Sequence, residues 1–551
     1  MAESLKKLRI LVVGGVAGGA SAATRARRVN ADAEITIFEK GPVISFANCG
    51  LPYHIGGEIA QREKLLVATP ELFQKRFGIH VKTLHEVTAI DRAAQTISVI
   101  NHATKTTQSP GYDRLILATG AEPISPPFWN AQATNLFHLW TMHDLDRIMQ
   151  QMQSGVSRAV IVGGGFVGLE VVEQLHRRGV AVTVVERDPQ VLPPLDRPFA
   201  KLIEEHMSSK GVSLKLSASI ARLDMNGNLV TAVRLQDGSS IPADLVIVGA
   251  GVRPRTAIAS ACGLDIGKTG GVRVNAHMQS SDPLIYAVGD MVEYQHGVLH
   301  ESARVPLAGP ANRAGRIAGA HAASGKSDLM GSVLGTAIVR VFDQTAACTG
   351  LNEKVLQARK MPYRVAIIQA AHHAGYYPGA QSMQLKLLYA PDSGRILGAQ
   401  AVGGDGVDKR IDIIATTMHF GGTVRDLAQL DLAYAPPFGS AKDPVHMAAF
   451  TACNDLDTAP SIALPDSDLN DKQVVDVRTA KERQELPLPG AIAIGVDEMI
   501  DRWQELDPAR DTIVVCHSGK RAHVAACWLK NKGFASVSNL TGGMAIRSLM
   551  T

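Results

Sequence analysis

Two cysteines lie in loops whose residue types favour sulfur chemistry, and the first of them is Cys49. It lies within Ser45–Tyr53, just downstream of a glycine-rich turn, and is flanked by Gly50 and Pro52. His54 stands where a reductase with a CxxxxC pair would carry its second cysteine. Because a thiolate is the reactive form and a helix N-terminus lowers a cysteine pKa, we expect a redox nucleophile rather than a small buried thiol. Its oxidised form is then a disulfide with an external small thiol, or a sulfenic acid.

The second cysteine, Cys516, begins the segment Cys516–Ala522, which joins a predicted strand to a predicted helix. Successive backbone N–H groups in such a loop can converge on an anionic sulfur. Arg521 closes the loop, and phosphatase loops of similar shape have one more residue between Cys and Arg. The shorter loop favours sulfur transfer, with a structural domain that has lost activity as the alternative. We interpret the other cysteines as packing residues: Cys262, Cys348, Cys453 and Cys527.

Glycine-rich turns follow two predicted β-strands, and an acidic residue ends the next strand in each case. In such units the glycines let the backbone approach a pyrophosphate at a helix N-terminus, and the acid binds ribose hydroxyls. The first turn has Val16 in place of the middle glycine of GxGxxG, for which Gly15 and Gly18 can compensate. One such turn is a weak signal, but two indicate two dinucleotides and electron transfer between them. The predicted cofactor residues are Gly14, Gly15, Gly19 and Glu39 in the first unit, and Gly163, Gly165, Gly168 and Glu186 in the second.

Further strands and turns divide the rest of the chain. Thr119 and Gly120 follow a strand that leaves the first unit, and Asp290 ends a buried strand. These patterns predict an α/β protein with two Rossmann-like dinucleotide-binding domains, an α+β domain and a C-terminal α/β domain. The predicted boundaries are 1–120 with 286–330 for the first dinucleotide domain, 121–285 for the second, 331–453 for the α+β domain, 454–471 for a polar linker and 472–551 for the last domain.

The composition narrows the function classes. The 551 residues carry a net charge of +4 that is spread along the chain, so we expect no nucleic-acid and no membrane partner. Six cysteines without short spacings fit a reducing, cytoplasmic compartment, and none forms a cluster with metal-ligand spacing. The segment 1–23 could pass for a signal peptide, but a strand over 8–13 followed by the glycine turn explains it better. No apolar run reaches the length of about 18 residues that a membrane helix needs.

In combination, these motifs resemble the flavoprotein disulfide reductases, and within them the single-cysteine group of coenzyme A-disulfide reductases, NADH peroxidases and NADH oxidases. The C-terminal domain resembles a single-domain rhodanese through Asp476–Arg478 and Cys516–Ala522. Similar fusions are coenzyme A-disulfide reductases with a rhodanese domain, some of which reduce persulfides or polysulfides with NADH. The resemblance implies FAD in the first dinucleotide domain, a nicotinamide in the second and a homodimer formed through residues 331–453.

The resemblance also implies roles for single residues. Cys49 would lie near the flavin and cycle through a mixed disulfide, Glu39 would bind the FAD ribose, and Asp290 would bind the ribityl chain. Tyr376 and Tyr434 match residues that reach the partner subunit's active site, where a phenol could donate a proton to leaving sulfur. A packing role is the alternative for both tyrosines.

Coenzyme A contacts are implied for a group of polar residues near the first turn. Arg25 and Arg28 lie three positions apart on one helix face, whereas we expect Arg27 to be solvated. Phe77 replaces a family lysine, for which Lys75 or Arg76 could substitute. The residues that match coenzyme A contacts are Ser21, Arg25, Arg28, Ser45 and Asn48.

The leading hypothesis is a homodimeric FAD enzyme that reduces persulfide or polysulfide sulfur, including coenzyme A persulfide, through Cys49, with Cys516 as a sulfur carrier. Glu186 favours NADH because a carboxylate repels a 2′-phosphate, although the adjacent Arg187 leaves NADPH possible. Three alternatives remain: coenzyme A-disulfide reduction proper, an NADH peroxidase or oxidase with a Cys49 sulfenic acid, and a redox sensor or scaffold without turnover.

Overall fold

The computed structural model describes residues 7–458 and 460–550. The first six residues of the predicted first domain, Ala459 of the predicted linker and Thr551 at the end of the last domain lie outside the described residues. The chain forms two compact units, which comprise Met1–Arg187 with Ala218–Val333, and Asp188–Ser217 with Leu334–Thr551.

The first unit is built around a five-stranded sheet of parallel strands. Its strands are short apolar runs such as Arg9–Val13, in which four of the five residues are buried, as is usual for parallel strands covered on both faces. This strand confirms the one predicted over 8–13. The strand order is Ile285–Ala287, Arg114–Leu117, Arg9–Val13, Glu34–Phe38 and His80–Lys82.

Two helices of this unit pack closely through small residues. The helix Ala17–Val29 lies along the helix Ala308–Ser324. A Cβ atom on Gly319 would lie only 2.1 Å from the carbonyl oxygen of Ala22, so the two backbones are in direct contact there. The remaining helices of the first unit are Leu51–Gly56, Pro70–Phe77, Met142–Gln153, Phe166–Arg177 and Ala257–Ala261.

A second parallel sheet carries the second glycine turn. Within the first unit its strand order is Ala181–Val185, Arg158–Val162, Leu245–Val248 and Leu136–Phe137. Antiparallel ribbons complete the unit, namely His85–Asp91 with Thr96–Asn101 and Thr107–Gln108, Ile220–Asn226 with Leu229–Leu235 and Ser240–Pro242, Ala121–Pro123 with Val252–Pro254, and Tyr294–Gln295 with Ser302–Ala303.

The second dinucleotide-binding region differs from the predicted span of 121–285. Ala259, Leu264, Val272 and Met278 pack into the core of the first sheet, and residues 188–217 belong to the second unit. The core of the second sheet reaches only to Val248. The sequence gives no sign of this early return, because Ala259 lies in a helix of only five residues and the other three core residues come from irregular segments, none of which shows apolar periodicity.

The second unit contains an antiparallel sheet, as predicted for the α+β domain. Its strand order is Ala337–Val341, Gln344–Gly350, Ile396–Gly403, Ser382–Tyr389 and Arg364–Ala371. The other elements of this part are the strand Ser213–Lys215 and the helices Arg197–Ser209, Glu353–Ala358, Val407–His419, Val424–Ala428 and Pro444–Leu456.

The C-terminal part forms a separate sheet of parallel strands. Its strand order is Ser461–Ala463, Val537–Leu540, Thr512–Val515, Gln473–Asp476 and Ile492–Ala493. Its helices are Ala480–Glu485, Met499–Arg502, Lys520–Asn531 and Gly543–Arg547.

The segment predicted as a linker, 454–471, is not a free tether. It contains the end of the helix Pro444–Leu456 and the strand Ser461–Ala463, which extends the C-terminal sheet. The C-terminal sheet is also fastened to the antiparallel sheet, because the amide of Ile367 donates to the hydroxyl of Thr541 at 2.7 Å. The polar, proline-containing composition of residues 454–471 therefore reflects the turns on either side of a short edge strand.

Among the described residues, no helix is both long and apolar enough to cross a membrane.

Candidate active sites

The first glycine turn has the backbone geometry of a phosphate-binding turn. Gly14 has φ +101°, a conformation that favours glycine, and a Cβ on Gly19 would lie 1.9 Å from the Gly14 carbonyl oxygen. The Glu39 carboxylate accepts a hydrogen bond from the Gly15 amide at 2.9 Å. Val16 precedes the helix as its N-cap residue, so the missing glycine of the motif lies outside the close helix contact.

The second turn repeats this arrangement. Gly163 has φ +106°, and a Cβ on Gly168 would lie 2.1 Å from the Gly163 carbonyl oxygen. A Cβ on Gly165 would meet nothing within 4 Å, so this glycine keeps its surface open to a ligand. Glu186 accepts a hydrogen bond from the Gly164 amide at 2.6 Å. Both turns therefore have the steric features that a dinucleotide pyrophosphate needs.

Three predicted cofactor residues lie at the ends of neighbouring strands in the first unit. Burial raises the pKa of the Asp290 carboxyl, and no hydrogen bond reaches this carboxyl from any residue that the structure describes. A half-buried carboxylate without a hydrogen-bond partner among the described residues fits a ligand that offers hydroxyl groups. The Thr119 hydroxyl donates to the Arg255 carbonyl at 2.8 Å, and Gly120 has φ +65°.

Cys49 lies in the 3-10 turn Asn48–Gly50, which leads directly into the helix Leu51–Gly56. Its side chain is exposed, which excludes the alternative of a buried packing thiol. Its amide donates to the Asn48 side-chain oxygen at 3.0 Å, and its sulfur lies 3.6 Å from the same oxygen. The adjacent Gly50 is tightly enclosed, because a Cβ there would lie 2.6 Å from Leu65.

The pKa of Cys49 is raised, opposite to the lowering expected from its position at a helix N-terminus. The largest cause is desolvation, followed by the carboxylates of Glu170 and Asp290, whereas a backbone hydrogen bond acts in the lowering direction. The Cys49 side chain is therefore accessible and at the same time partly desolvated by the protein atoms around it. The short turn cannot offset the two carboxylates that face the sulfur.

Glu170 was not among the predicted site residues. It lies on the helix Phe166–Arg177 and accepts a hydrogen bond at 3.0 Å from the hydroxyl of Tyr53, four positions after Cys49. Its place two residues after Gly168 was the available signal, since residues near the start of this helix lie close to the dinucleotide turn. The contact with Tyr53 spans 117 positions and could not be inferred from the sequence.

The residues with implied coenzyme A contacts line the first helix and its neighbouring loop. The Ser21 hydroxyl donates to Asn312 at 2.5 Å, and the Nε atom of Arg25 is buried without a hydrogen-bond partner in the described part of the chain. Ser45 has φ +46°, a strained conformation for a residue with a side chain. Asn48 is engaged by the amide of Cys49.

The two neighbouring arginines have different environments from those expected. Arg28 is exposed, and its guanidinium lies 5.3 Å from the ring centre of Phe77. Arg27 does not form a solvated face, because its guanidinium donates to the carbonyls of Phe77 at 2.6 Å and Gly78 at 3.0 Å. The sequence could not reveal these contacts of Arg27, because the carbonyl groups at the end of the helix Pro70–Phe77 come from a distant segment.

Tyr376 and Tyr434 are exposed and contact each other, with 3.1 Å between their hydroxyl oxygens. The hydrogen bond to Tyr434 is the main cause that raises the pKa of Tyr376. Their exposure, 77% and 48%, argues against the alternative of core packing. The pair therefore presents two phenol groups on the surface of the second unit.

Cys516 lies at the start of a compact loop between the strand Thr512–Val515 and the helix Lys520–Asn531. Its side chain is completely buried, and its sulfur accepts a hydrogen bond from the Gly519 amide at 3.1 Å. Gly519 has φ +89°, which turns this amide toward the sulfur. Of the converging amides predicted to bind an anionic sulfur, the amide of Gly519 is the one that donates to Cys516 in the described structure.

Arg521 lies beside Cys516 and is held by a carboxylate that the sequence analysis did not identify. Glu482 receives two hydrogen bonds from the Arg521 guanidinium, at 2.8 Å and 2.6 Å, which lower the pKa of Glu482 to about 2. The Glu482 carboxylate also caps the helix Ala480–Glu485 through Thr479. The available signal was the sequence Thr479-Ala480-Lys481-Glu482, a capping box directly after Asp476–Arg478.

The comparisons with known proteins identify the three parts of the chain. Residues 8–326 match the family model of the pyridine nucleotide-disulphide oxidoreductases, 336–444 match the dimerisation domain of that family, and 464–545 match the rhodanese-like domain. The chain belongs to the pyridine nucleotide-disulphide oxidoreductases. The resemblance inferred from the motifs is confirmed, and so is the predicted order of domain types.

Individual relatives agree with this assignment. A coenzyme A disulfide reductase of Staphylococcus haemolyticus is 36% identical over 445 residues, which are 81% of this chain and 99% of the relative. The crystal structure of reduced Bacillus anthracis CoADR-RHD superposes with a TM-score of 0.96 at 42% identity and covers 98% of both chains. An NAD-dependent persulfide reductase from A. fulgidus superposes with a TM-score of 0.92 at 36% identity and covers 98% of this chain and 100% of its own.

The family uses FAD and a nicotinamide dinucleotide, and the two glycine turns of this oxidoreductase fit them. The first turn, Glu39 and Asp290 would hold FAD, and the second turn with Glu186 would hold the nicotinamide dinucleotide. No group of three metal-ligating side chains occurs in the described ranges. Cys348 is buried as predicted, whereas Cys527 is half-buried with its sulfur 3.6 Å from His523 Nε2.

Proposed function

We propose that this oxidoreductase is a homodimeric, cytoplasmic enzyme that reduces persulfide or polysulfide sulfur with NADH, using Cys49 as its redox cysteine and Cys516 as a sulfur carrier. The observation that carries the proposal is the combination, in one chain, of an exposed single cysteine in the flavin domain with a buried cysteine in a sulfur-sized anion loop. The persulfide reductase similar over 98% of this chain supports the same class of substrate.

At Cys49 the proposed reaction is an exchange at sulfur. The thiolate attacks the carbon-bound sulfur of a persulfide RS–SH, the S–S bond breaks, and hydrosulfide leaves as the Cys49–SR mixed disulfide forms. Two electrons are then needed to break that disulfide into two thiolates, and one NADH supplies them. Bound FAD would provide the chemistry that accepts a hydride and passes on an electron pair.

The carboxylates around Cys49 suit this cycle. Glu170 and Asp290 disfavour a free negative charge on the sulfur, so the thiol or the mixed disulfide is the favoured resting form. Coenzyme A is the proposed thiol R, and Ser21, Arg25, Arg28, Ser45 and Asn48 are the proposed contacts.

At Cys516 the proposed intermediate is a persulfide. The Cys516 thiolate attacks the outer sulfur of a donor such as thiosulfate, which leaves as sulfite, and the sulfane sulfur stays on Cys516. The amide of Gly519 lies at the sulfur, and Arg521 supplies a positive charge beside it. A second nucleophile then removes the sulfane sulfur and restores the thiolate.

Tyr376 and Tyr434 are the proposed proton donors, acting at the active site of the partner subunit in the dimer. Each phenol is exposed, and the shared hydrogen bond keeps the Tyr376 pKa raised, so this phenol is protonated at neutral pH. A protonated phenol can neutralise leaving hydrosulfide or thiolate.

NADH is the proposed electron donor because Glu186 occupies the site of a ribose-binding acid, already oriented by its bond to the Gly164 amide. A fixed carboxylate repels the 2′-phosphate of NADPH. Comparing the two donors at equal concentration tests this preference, and faster turnover with NADPH would contradict it.

A substrate panel tests the proposal as a whole. NADH consumption by the FAD-loaded enzyme should be fastest with coenzyme A persulfide or inorganic polysulfide and should release one sulfide per NADH. Faster turnover of coenzyme A disulfide would assign the enzyme to coenzyme A-disulfide reduction, and fast turnover with peroxide or oxygen alone would assign it to the peroxidases or oxidases. Absence of flavin bleaching by NADH would indicate a sensor or scaffold.

A further inference from the structure

A polar pocket lies beside the helix pair of the first unit, away from the glycine turn. It has a volume of about 330 Å³, at the lower end of the range of about 300–1,000 Å³ for small-molecule sites. Its walls come from the last turns of the helices Ala17–Val29 and Ala308–Ser324 and from the loop after the second helix. The polar lining residues are Arg25, Arg316, Ser324, Lys326, Ser327 and Asp328.

Three of these residues are cationic and none of the three has a carboxylate partner within the part of the chain that the structure describes. Arg9 of the same unit, in contrast, is paired with Asp113. Asp328 contributes one negative charge, and the two helix C-termini contribute roughly half a charge each. The three cations outweigh these contributions by about one positive charge, so the pocket favours an anion.

The pocket continues a track that begins near the first glycine turn. Arg25 follows Ser21 by one helical turn, and Arg316 follows Asn312 by one turn on the opposite helix. Ser21 and Asn312 are hydrogen-bonded to each other, so the two pairs stack along the same side of the helix pair. A ligand held at Ser21 and Arg25 would extend directly into the pocket.

The alternative position for a phosphate group is weakened in this chain. Phe77 stands where the resemblance expects a lysine, and the Arg28 guanidinium lies over its ring. An aromatic ring therefore replaces the expected ammonium group at this position, whereas the pocket offers three cations.

We propose that Arg316 and Lys326, together with Arg25, bind the phosphorylated end of the coenzyme A thiol whose sulfur reacts at Cys49. This inference rests on the proposed function, since it names a binding site for the same substrate. Arginine forks and a lysine ammonium bind phosphate oxygens through charge-assisted hydrogen bonds. The hydroxyls of Ser324 and Ser327 add neutral donors at the same pocket.

Binding of coenzyme A, 3′-dephospho-coenzyme A and pantetheine to the FAD-loaded, full-length enzyme tests this site by calorimetry. Arg316→Ala and Lys326→Ala should each weaken coenzyme A binding about tenfold, the effect of one charge-assisted hydrogen bond, and leave pantetheine binding unchanged. If only the 3′-phosphate occupies the pocket, the variants and the wild type bind dephospho-coenzyme A equally. If the pyrophosphate occupies it, the variants also lose affinity for dephospho-coenzyme A.

Lys105→Ala, at an exposed turn of the first unit, is the matched control and should bind all three ligands like the wild type. Unchanged coenzyme A affinity in both pocket variants would overturn the inference while leaving the proposed function intact. A wild-type enzyme that binds no coenzyme A would overturn both. The flavin spectrum and thermal midpoint of each variant confirm that the fold is retained.

Discussion

The two reactive cysteines of this oxidoreductase have opposite surroundings. Cys49 is exposed, and the carboxylates of Glu170 and Asp290 oppose negative charge on its sulfur. Cys516 is completely buried, accepts a hydrogen bond from a backbone amide, and lies beside the guanidinium of Arg521. Both residues lie at the start of a helical segment, so helix position alone does not set their chemistry.

Both residues are cysteines, so the difference between their proposed roles lies in the charged and polar groups around each sulfur. Desolvation and the two carboxylates keep Cys49 as a thiol or a mixed disulfide between steps, so the attacking thiolate must form during the reaction. A sulfur facing an amide and a guanidinium is suited to holding an anionic persulfide. Four substitutions test whether the two cysteines differ in this way.

The largest effect is expected for Cys49→Ser. NADH-dependent reduction of persulfide and of coenzyme A disulfide should fall by at least about 10³-fold, because the covalent step is lost. Transfer of sulfur from thiosulfate to cyanide should be unchanged, because Cys516 and Arg521 are intact. Cys262→Ser, a half-buried cysteine of the same unit, is the control for both assays. Full NADH turnover by the Cys49→Ser enzyme would disprove the mechanism.

The reciprocal change is Cys516→Ala. Sulfur transfer from thiosulfate to cyanide should fall by at least about 10²-fold, because no other loop of the described residues presents a sulfur to a converging amide. NADH oxidation with coenzyme A disulfide should continue at the wild-type rate. If both activities fell together, the two cysteines would act in a single obligatory path rather than as separable sites.

A smaller effect is expected for Glu482→Gln, which removes the partner of Arg521. Sulfur transfer should fall by about 10-fold to 100-fold, because the half-buried guanidinium of Arg521 loses its charge-assisted hydrogen bonds and its position. The pH profile of sulfur transfer should shift as well, which simple loosening of the fold would not cause. Glu485→Gln, on the same helix but 64% exposed, is the matched control and should leave rate and profile unchanged.

The smallest effect is expected for Glu170→Gln at the other cysteine. Removing this carboxylate should lower the raised pKa of Cys49, so its thiolate forms at lower pH than in the wild type. The rate of alkylation of the NADH-reduced enzyme by iodoacetamide, followed from pH 6 to 10, measures the change.

Tyr53→Phe is the control for this last change, because it removes the hydrogen bond to Glu170 and keeps the carboxylate. The alkylation profile of Tyr53→Phe should therefore stay close to that of the wild type. A Glu170→Gln profile identical to the wild type would show that desolvation and Asp290, without Glu170, account for the raised pKa of Cys49.

Short-range patterns predicted much of the fold. The glycine turns were predictable because Gly19 and Gly168 meet the backbone of Gly14 and Gly163 within their own strand–turn–helix units. The boundary near 285 was not, because Ala259 and Met278 are drawn into a core whose other members come from distant strands. The polar linker was misjudged for the same reason, since its strand exists only by pairing with Val537–Leu540.

The candidate sites show the same division. Cys49, Cys516 and Arg521 were identifiable because their loops contain the chemical groups in sequence order. Glu170 and Glu482 were missed because their partners, Tyr53 and Arg521, lie 117 and 39 positions away. Hydrogen bonds over such separations have no periodic or local signature.

The sequence by itself determined which atoms can react: one cysteine without a neighbour, one cysteine in a short loop, and two turns for dinucleotides. The tertiary structure decided the charge that each sulfur experiences. It brought Glu170 and Asp290 to Cys49 and fixed Arg521 with Glu482 beside Cys516. The reason is physical, because electrostatic interactions depend on distances between side chains, and only the folded chain sets those distances.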